Sequence, residues 1–160
     1  MVEINAYHSD RLYVLSSVIT IALNRKIVKV FFLKAGVVQQ MCELFGFHCA
    51  RAQDVRGFLT EFFTHSVRHP HGWGLASFQQ REWQRFTEPV CANQSECLGG
   101  IVRSLPPQTL LIGHIRLATI GALDKANCHP FARTDSSGRP WVLAHNGTIF
   151  SGMTLLKYAE

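Results

Sequence analysis

No C-x-x-C pair occurs among the five cysteines of this chain (Cys42, Cys49, Cys91, Cys97 and Cys128), and their number is odd. The missing pair removes the commonest zinc and redox spacings, and the odd count argues against a disulfide scaffold. The expectation is reduced thiols packed as small hydrophobes in a cytoplasmic protein. A Lys/Arg stripe with interleaved aromatics is also missing, so the formal charge of +5 does not read as a nucleic-acid footprint. The excess is uneven: residues 1–41 carry five basic and two acidic side chains, which leaves residues 42–160 at only +2. No apolar run is long enough to span a membrane. Tyr13 to Leu23 covers eleven residues, and Arg25, Lys26 and Lys29 interrupt its extension towards Val30-Phe31-Phe32-Leu33. With Glu3 and Asp10 ahead of it and Asn24-Arg25-Lys26 behind, it does not suit a signal peptide either. Internal repeats and low-complexity tracts are absent. His65, His69 and His71 lie close together, but no carboxylate or cysteine pair stands at ligand spacing beside them, so neither a metal nor a cofactor is expected.

What remains is a 160-residue chain, 47% apolar and 17% charged, long enough for one domain with a sizeable core. Its character changes at Cys42. From there, Cys42 to His48 alternates like a strand with one buried face. Asp54 is placed to cap a helix in which Val55, Phe58, Leu59, Phe62 and Phe63 share one apolar face, weakened slightly by Gly57. Residues 73–78 and 83–87 read as a hairpin, residues 95–105 as a helix interrupted by Gly99-Gly100, and residues 109–115 as a buried strand. Residues 141–145 read as a further strand ending on Asn146-Gly147, and residues 153–160 begin a helical pattern.

Four short stretches stand out: Met41-Cys42-Glu43-Leu44-Phe45-Gly46, His71-Gly72-Trp73-Gly74-Leu75-Ala76, His114-Ile115-Arg116-Leu117-Ala118-Thr119-Ile120-Gly121 and Ala144-His145-Asn146-Gly147, with Asn127-Cys128-His129-Pro130-Phe131 between the last two. Each alone is weak. In this order and spacing, residues 41–160 resemble the class-II glutamine amidotransferases, a branch of the N-terminal-nucleophile hydrolases, and most of all the stand-alone bacterial proteins that begin Met-Cys-Glu-Leu. Residues 1–40 lie outside the resemblance.

The resemblance implies an α+β fold, a four-layer αββα sandwich, and a chemistry that the residue types can carry. A thiol with a pKa near 8.5 needs a base at neutral pH, and an α-amine titrating near 7.7–8.0 can serve its own residue only if that cysteine comes first in the chain. Residues 1–41 are therefore expected to be an over-extended start, a removed propeptide or a targeting segment. Arg116 offers a planar fork for the α-carboxylate of glutamine. By resemblance, Thr119 helps hold the substrate and His129 lies in a shaped loop near it. Asn146 and Gly147 together supply a side-chain and a backbone N–H, the donor pair of an oxyanion hole. The implied reaction releases ammonia from glutamine through a Cys42 γ-glutamyl thioester.

Each assignment has an ordinary alternative. Taken alone, Cys42 reads as a buried core residue, Arg116 as a structural ion-pair residue and Asn146-Gly147 as a hairpin turn. His71, His114, His129 and His145 read better as hydrogen-bonded supports than as proton carriers. The family's glutaminase domain is longer than residues 42–160, and its later acidic residue for the substrate amine has no counterpart here. The sequence is thus expected to be a domain incomplete at the C-terminus. Three functions compete: a glutamine amidohydrolase with an ammonia-accepting synthase as partner, a hydrolase of another γ-glutamyl compound, and an inactive module that binds γ-glutamyl compounds or a partner protein. Neither nucleic acid nor membrane is an expected partner.

Overall fold

The computed structural model describes residues 42–80 and 82–146, together with the backbone of three earlier strands: β1 (Leu12–Leu15), β2 (Val18–Ile21) and β3 (Lys29–Leu33). Met41, Gly147 and the helical pattern at 153–160 lie outside the described residues.

Two antiparallel sheets form the frame. The first has five strands in the order β3-β4-β7-β5-β6, where β4 is Glu43–Gln53, β5 Trp73–Gln79, β6 Glu82–Glu88 and β7 Gln108–Ile115. The second has the order β1-β2-β9-β8, with β8 at Phe131–Thr134 and β9 at Pro140–His145. The three strands that precede Cys42 join both sheets. β3 lies along β4 with Lys29 opposite His48 and Leu33 opposite Leu44, and β2 lies along β9 with Val18 opposite His145.

Strand alternation assigns each face. On the first sheet, Phe45, Phe47, Trp73, Leu75, Leu111 and Ile115 are buried in one cluster with helix α1 (Arg56–Thr64) and helix α2 (Leu98–Ser104). Leu44, Ala76, Leu110 and Ile112, one residue out of phase, are buried with Val142 and Ala144 of β9. The described residues therefore form helix, sheet and sheet in three layers, a mixed and largely antiparallel α/β arrangement.

Local chemistry explains the boundaries. α1 buries Leu59, Phe62 and Phe63, and Val55 just ahead of it is buried too. Phe58, expected on the same face, is 52% exposed. It falls one position to the side of an apolar stripe that is narrower than five residues would make it. Asp54 sits one residue further out than a regular cap: its Oδ1 accepts from the Arg56 amide at 3.0 Å, and its carboxylate also holds the Arg56 guanidinium. The hairpin of β5 and β6 pairs Trp73 with Glu88 through to Gln79 with Glu82 and turns at Gln80, whose φ is +51°. β4 runs beyond His48, with an irregularity in its pairing to β7 between His48 and Gln53. Strand β8 begins at the end of the expected loop, at Phe131. Among the described residues no helix is long and apolar enough to cross a membrane.

Gly74 is a position where the backbone tolerates no side chain. A Cβ there would overlap the carbonyl of His129, because the loop after residue 127 crosses directly over β5. By contrast, a Cβ on Gly100 in α2 meets nothing within 4 Å. Gly74→Ala is accordingly expected to lower the melting temperature by many degrees or prevent folding, since only a backbone shift could relieve the overlap. Gly100→Ala should stabilise by about 0.5–1 kcal/mol. Thermal unfolding of both variants checks the pair.

Candidate active site

The site grows out of the inter-sheet face of the first sheet. Cys42 directly precedes β4 and, two residues before Leu44, shares its side by alternation. Arg116 directly follows β7, two residues after His114, on that same side. The register pairs Glu43 with Ile115, which brings Cys42 and Arg116 to neighbouring strand ends. Gly72, before β5, flanks Arg116 on the other side: the Arg116 amide donates to Gly72 O at 2.8 Å and the His71 amide to Arg116 O at 3.1 Å. Across the gap, Val142 and Ala144 point inward from β9, and Asn146, two residues further, is 3% exposed.

The Cys42 sulfur sits against the residue after Arg116. It accepts from the Leu117 amide at 3.3 Å and lies 3.5 Å from the Leu117 carbonyl. Burial pushes the thiol pKa up, while the Leu117 contact and the Arg116 charge act in the opposite direction. Arg116 itself is 7% exposed. Its Nη1 donates to Ala122 O at 3.0 Å and its Nη2 to Ile120 O at 3.4 Å, so the guanidinium organises the following loop. His71 Nδ1 accepts from the Ala118 amide at 2.9 Å and ties down the start of that loop. Thr119 lies exposed on it.

His129 arrives on the second loop, through a cis His129–Pro130 bond. Its Nδ1 lies 3.2 Å from His114 Nε2, and its ring packs edge-on against both His114 and Phe131. His114 is fully buried, and burial holds its pKa well below the ordinary value. Burial likewise lowers His129 to about 4, helped by the charges of His145 and Arg116. The His129 ring also lies edge-on to His145 at the end of β9, with ring centroids 6.4 Å apart. The imidazoles are thus neutral supports between the sheets. Two buried polar atoms there, His114 Nδ1 and Asn146 Oδ1, have no hydrogen-bond partner among the described residues.

Sequence reasoning missed the residue that holds this loop. Arg85 on β6 donates from Nε to Pro130 O and from Nη2 to Cys128 O at 3.1 Å. Nothing in its local pattern distinguishes it, because a cation on an outer strand ordinarily faces solvent. Cys128 is fully buried and lies against Gly72, with its thiol pKa raised by burial. The structure therefore gathers Cys42, Arg116, His129 and the end of β9 at one end of the inter-sheet gap. It leaves Thr119 at the rim, and Gly147 is outside the described residues. Among the described residues no group of three or more His, Cys, Asp or Glu side chains is arranged to hold a metal ion.

Comparison with known proteins bears on this arrangement. Residues 41–157 match the family model of the class-II glutamine amidotransferases. The chain is 32% identical over 127 residues to a provisionally named glutamine amidotransferase of Haemophilus influenzae, covering 77% of this chain and 41% of that protein. It is 29% identical over 113 residues to YafJ of Escherichia coli, also provisionally named a glutamine amidotransferase, covering 68% of this chain and 44% of that protein. It is 31% identical over 109 residues to an uncharacterized protein of Methanocaldococcus jannaschii, covering 68% of this chain and 30% of that protein. The chain thus spans less than half the length of each of these relatives. No solved structure gives a significant match.

The neutral histidine pair makes stability sensitive to acid. His129 and His114 have lowered pKa values in the folded protein, so between the ordinary value near 6.5 and about 4 the unfolded chain binds more protons than the folded one. Their contribution is complete above pH ~6.5 and is lost as the pH falls towards 4. The melting temperature is expected to drop by on the order of 5 °C over that interval, beyond the change in a His129→Gln variant, in which part of the dependence is removed. Calorimetry of both proteins from pH 7 to pH 4 checks this.

Proposed function

The chain belongs to the class-II glutamine amidotransferases, and we propose that residues 42–160 are part of a glutaminase domain that releases ammonia from glutamine through a thioester on Cys42. The observation that carries this reading is the meeting of a cysteine sulfur with the backbone directly after a buried arginine, at the ends of adjacent strands. A nucleophile and a carboxylate-binding fork must be held about one amino-acid substrate apart, and paired strand ends do that without a flexible element.

In the proposed reaction the Cys42 thiolate attacks the γ-carbonyl carbon of glutamine, and the π electrons move to oxygen. Asn146 Nδ2 and the Gly147 amide stabilise that oxyanion. Collapse breaks the carbon–nitrogen bond, and the nitrogen takes a proton and leaves as ammonia. Water then attacks the thioester and releases glutamate and the thiol. Arg116 binds the α-carboxylate with N–H groups left over from the loop carbonyls, aided by Thr119. His129, neutral and wedged under the loop, shapes the pocket wall. The base is the α-amine of Cys42, available once the bond to Met41 is open. While that bond is intact the nitrogen is an amide, and the half-buried thiol, its pKa raised by desolvation, stays protonated. That condition favours a second reading for the uncut chain, as a module that binds γ-glutamyl compounds without turning them over.

The complete domain in this reading is the four-layer αββα sandwich, of which the described helix–sheet–sheet layers are three. Residues 1–41 precede it as a leader or extended start. The protein works in the cytoplasm, where its cysteines, free in the structure, would stay reduced. Because the chain spans less than half of the relatives it matches, the acceptor of the ammonia is assigned to a synthase partner or a further part of the protein.

The experiment combines ammonia release with intact-mass measurement of the protein isolated from its native cells. Turnover is expected only in molecules that begin at Cys42, and activity with residue 1 in place would overturn the amine mechanism. Cys42→Ala should abolish turnover. Asn146→Ala should lower kcat by on the order of 10²–10³ with little effect on KM. Arg116→Lys keeps the charge but loses the fork, so kcat/KM should fall. Unchanged kcat/KM in that variant would leave Arg116 as the organiser of its loop alone.

A further inference from the structure

The side of the first sheet opposite the gap carries a charged group that the reaction does not use. Glu43 follows Cys42 immediately, and its side chain points to the helix face with Phe45 and Phe47. There it is only 16% exposed, with Oε2 2.8 Å from His65 Nδ1 and Oε1 4.0 Å from His69 Nε2. Both histidines belong to the 3-10 turn His65–Arg68 and the residue after it, directly behind α1. His69 Nδ1 faces the His65 carbonyl at 3.0 Å, and a carbonyl only accepts, so that nitrogen carries hydrogen and the ring is held in place from behind. His65 Nε2 in turn lies 3.8 Å from Glu61 on α1. The carboxylate is thus tied through His65 to the chain directly behind α1.

Neighbouring residues of a strand face opposite ways, so whatever fixes Glu43 on one face fixes Cys42 on the other. The demand is greatest once Cys42 is the first residue. Among the described residues its sulfur hydrogen-bonds Leu117, and its backbone is then continuous on one side alone. A displacement of about 1 Å at a reacting atom costs on the order of 10² in rate. We propose, resting on the glutaminase reading, that Glu43 is a positioning residue: held by His65, it fixes the start of β4 so that Cys42 stays in register with Arg116.

The test uses thiol labelling of the protein, wild type and variants, isolated from its native cells and beginning at Cys42 by intact mass, followed by mass spectrometry at Cys42. Two electrophiles are compared, a chloroketone analogue of glutamine, which needs Cys42 and Arg116 in register, and iodoacetamide, which needs only an accessible thiol. Glu43→Ala is expected to reduce the ratio of the two rates at least tenfold. His65→Ala should reduce it similarly, and the double variant should go no lower than the worse single one, since both remove one clamp. Glu43→Gln, which can still accept from His65, should recover most of the ratio. An unchanged ratio in Glu43→Ala, or independent losses that multiply in the double variant, would overturn the proposal. Amide hydrogen exchange at Leu44 and Phe45 supplies a readout free of any substrate. It should speed by about tenfold in Glu43→Ala, and unchanged exchange overturns the clamp. If exchange speeds up as expected while the wild-type protein shows no preference for the glutamine analogue, the clamp stands and the glutaminase reading fails.

Discussion

Everything in this structure hangs on the burial of β7 from both sides. Its residues alternate between two cores: Leu111 and Ile115 face α1 and α2, while Leu110, Ile112 and His114 face the second sheet. A strand covered on both faces cannot slip by one residue without moving its entire apolar set into the wrong layer. That constraint sets the register of β4 and β5 on either side, and the register sets which residues emerge at the strand ends. Arg116 lies beside Cys42 because Ile115 lies beside Glu43.

The second structural demand is a close crossing. The loop through Cys128 and His129 passes over β5 at a place where only glycine leaves room, and Arg85 holds it by two carbonyls. The crossing carries the imidazole of His129 from the loop into contact with His114 of β7. Two neutral rings therefore join elements that are far apart in sequence, and they do so where burial disfavours protonation.

Seen from the helix side, the strand that follows Cys42 is tethered as well. Glu43 meets His65 and His69, and Phe45 packs on Phe62 with ring centroids 5.6 Å apart. The two faces of one strand thus divide the work between holding position and presenting a thiol.

Much of this was legible in the sequence. Alternation marked β4, β5, β7 and β9, the 3.6-residue period marked α1, and the order of four short stretches pointed to the family and to Cys42, Arg116 and Asn146. Local pattern also misled: Phe58 obeys the helical spacing yet stands in solvent, because spacing does not tell how wide a stripe the sheet will cover. The strands of residues 12–33 were not read as such: β2 and β3 find partners in β9 and β4 of the later chain, and β1 pairs with β2. Arg85, Glu43 and His65 were invisible as site supports for a related reason. Their roles depend on which carbonyl or carboxylate comes within 3 Å, and that is decided by chain crossing and sheet register. Residue type and period determine which face a side chain takes; only the packed tertiary structure decides what it meets there, because contact between distant segments is a property of the whole core.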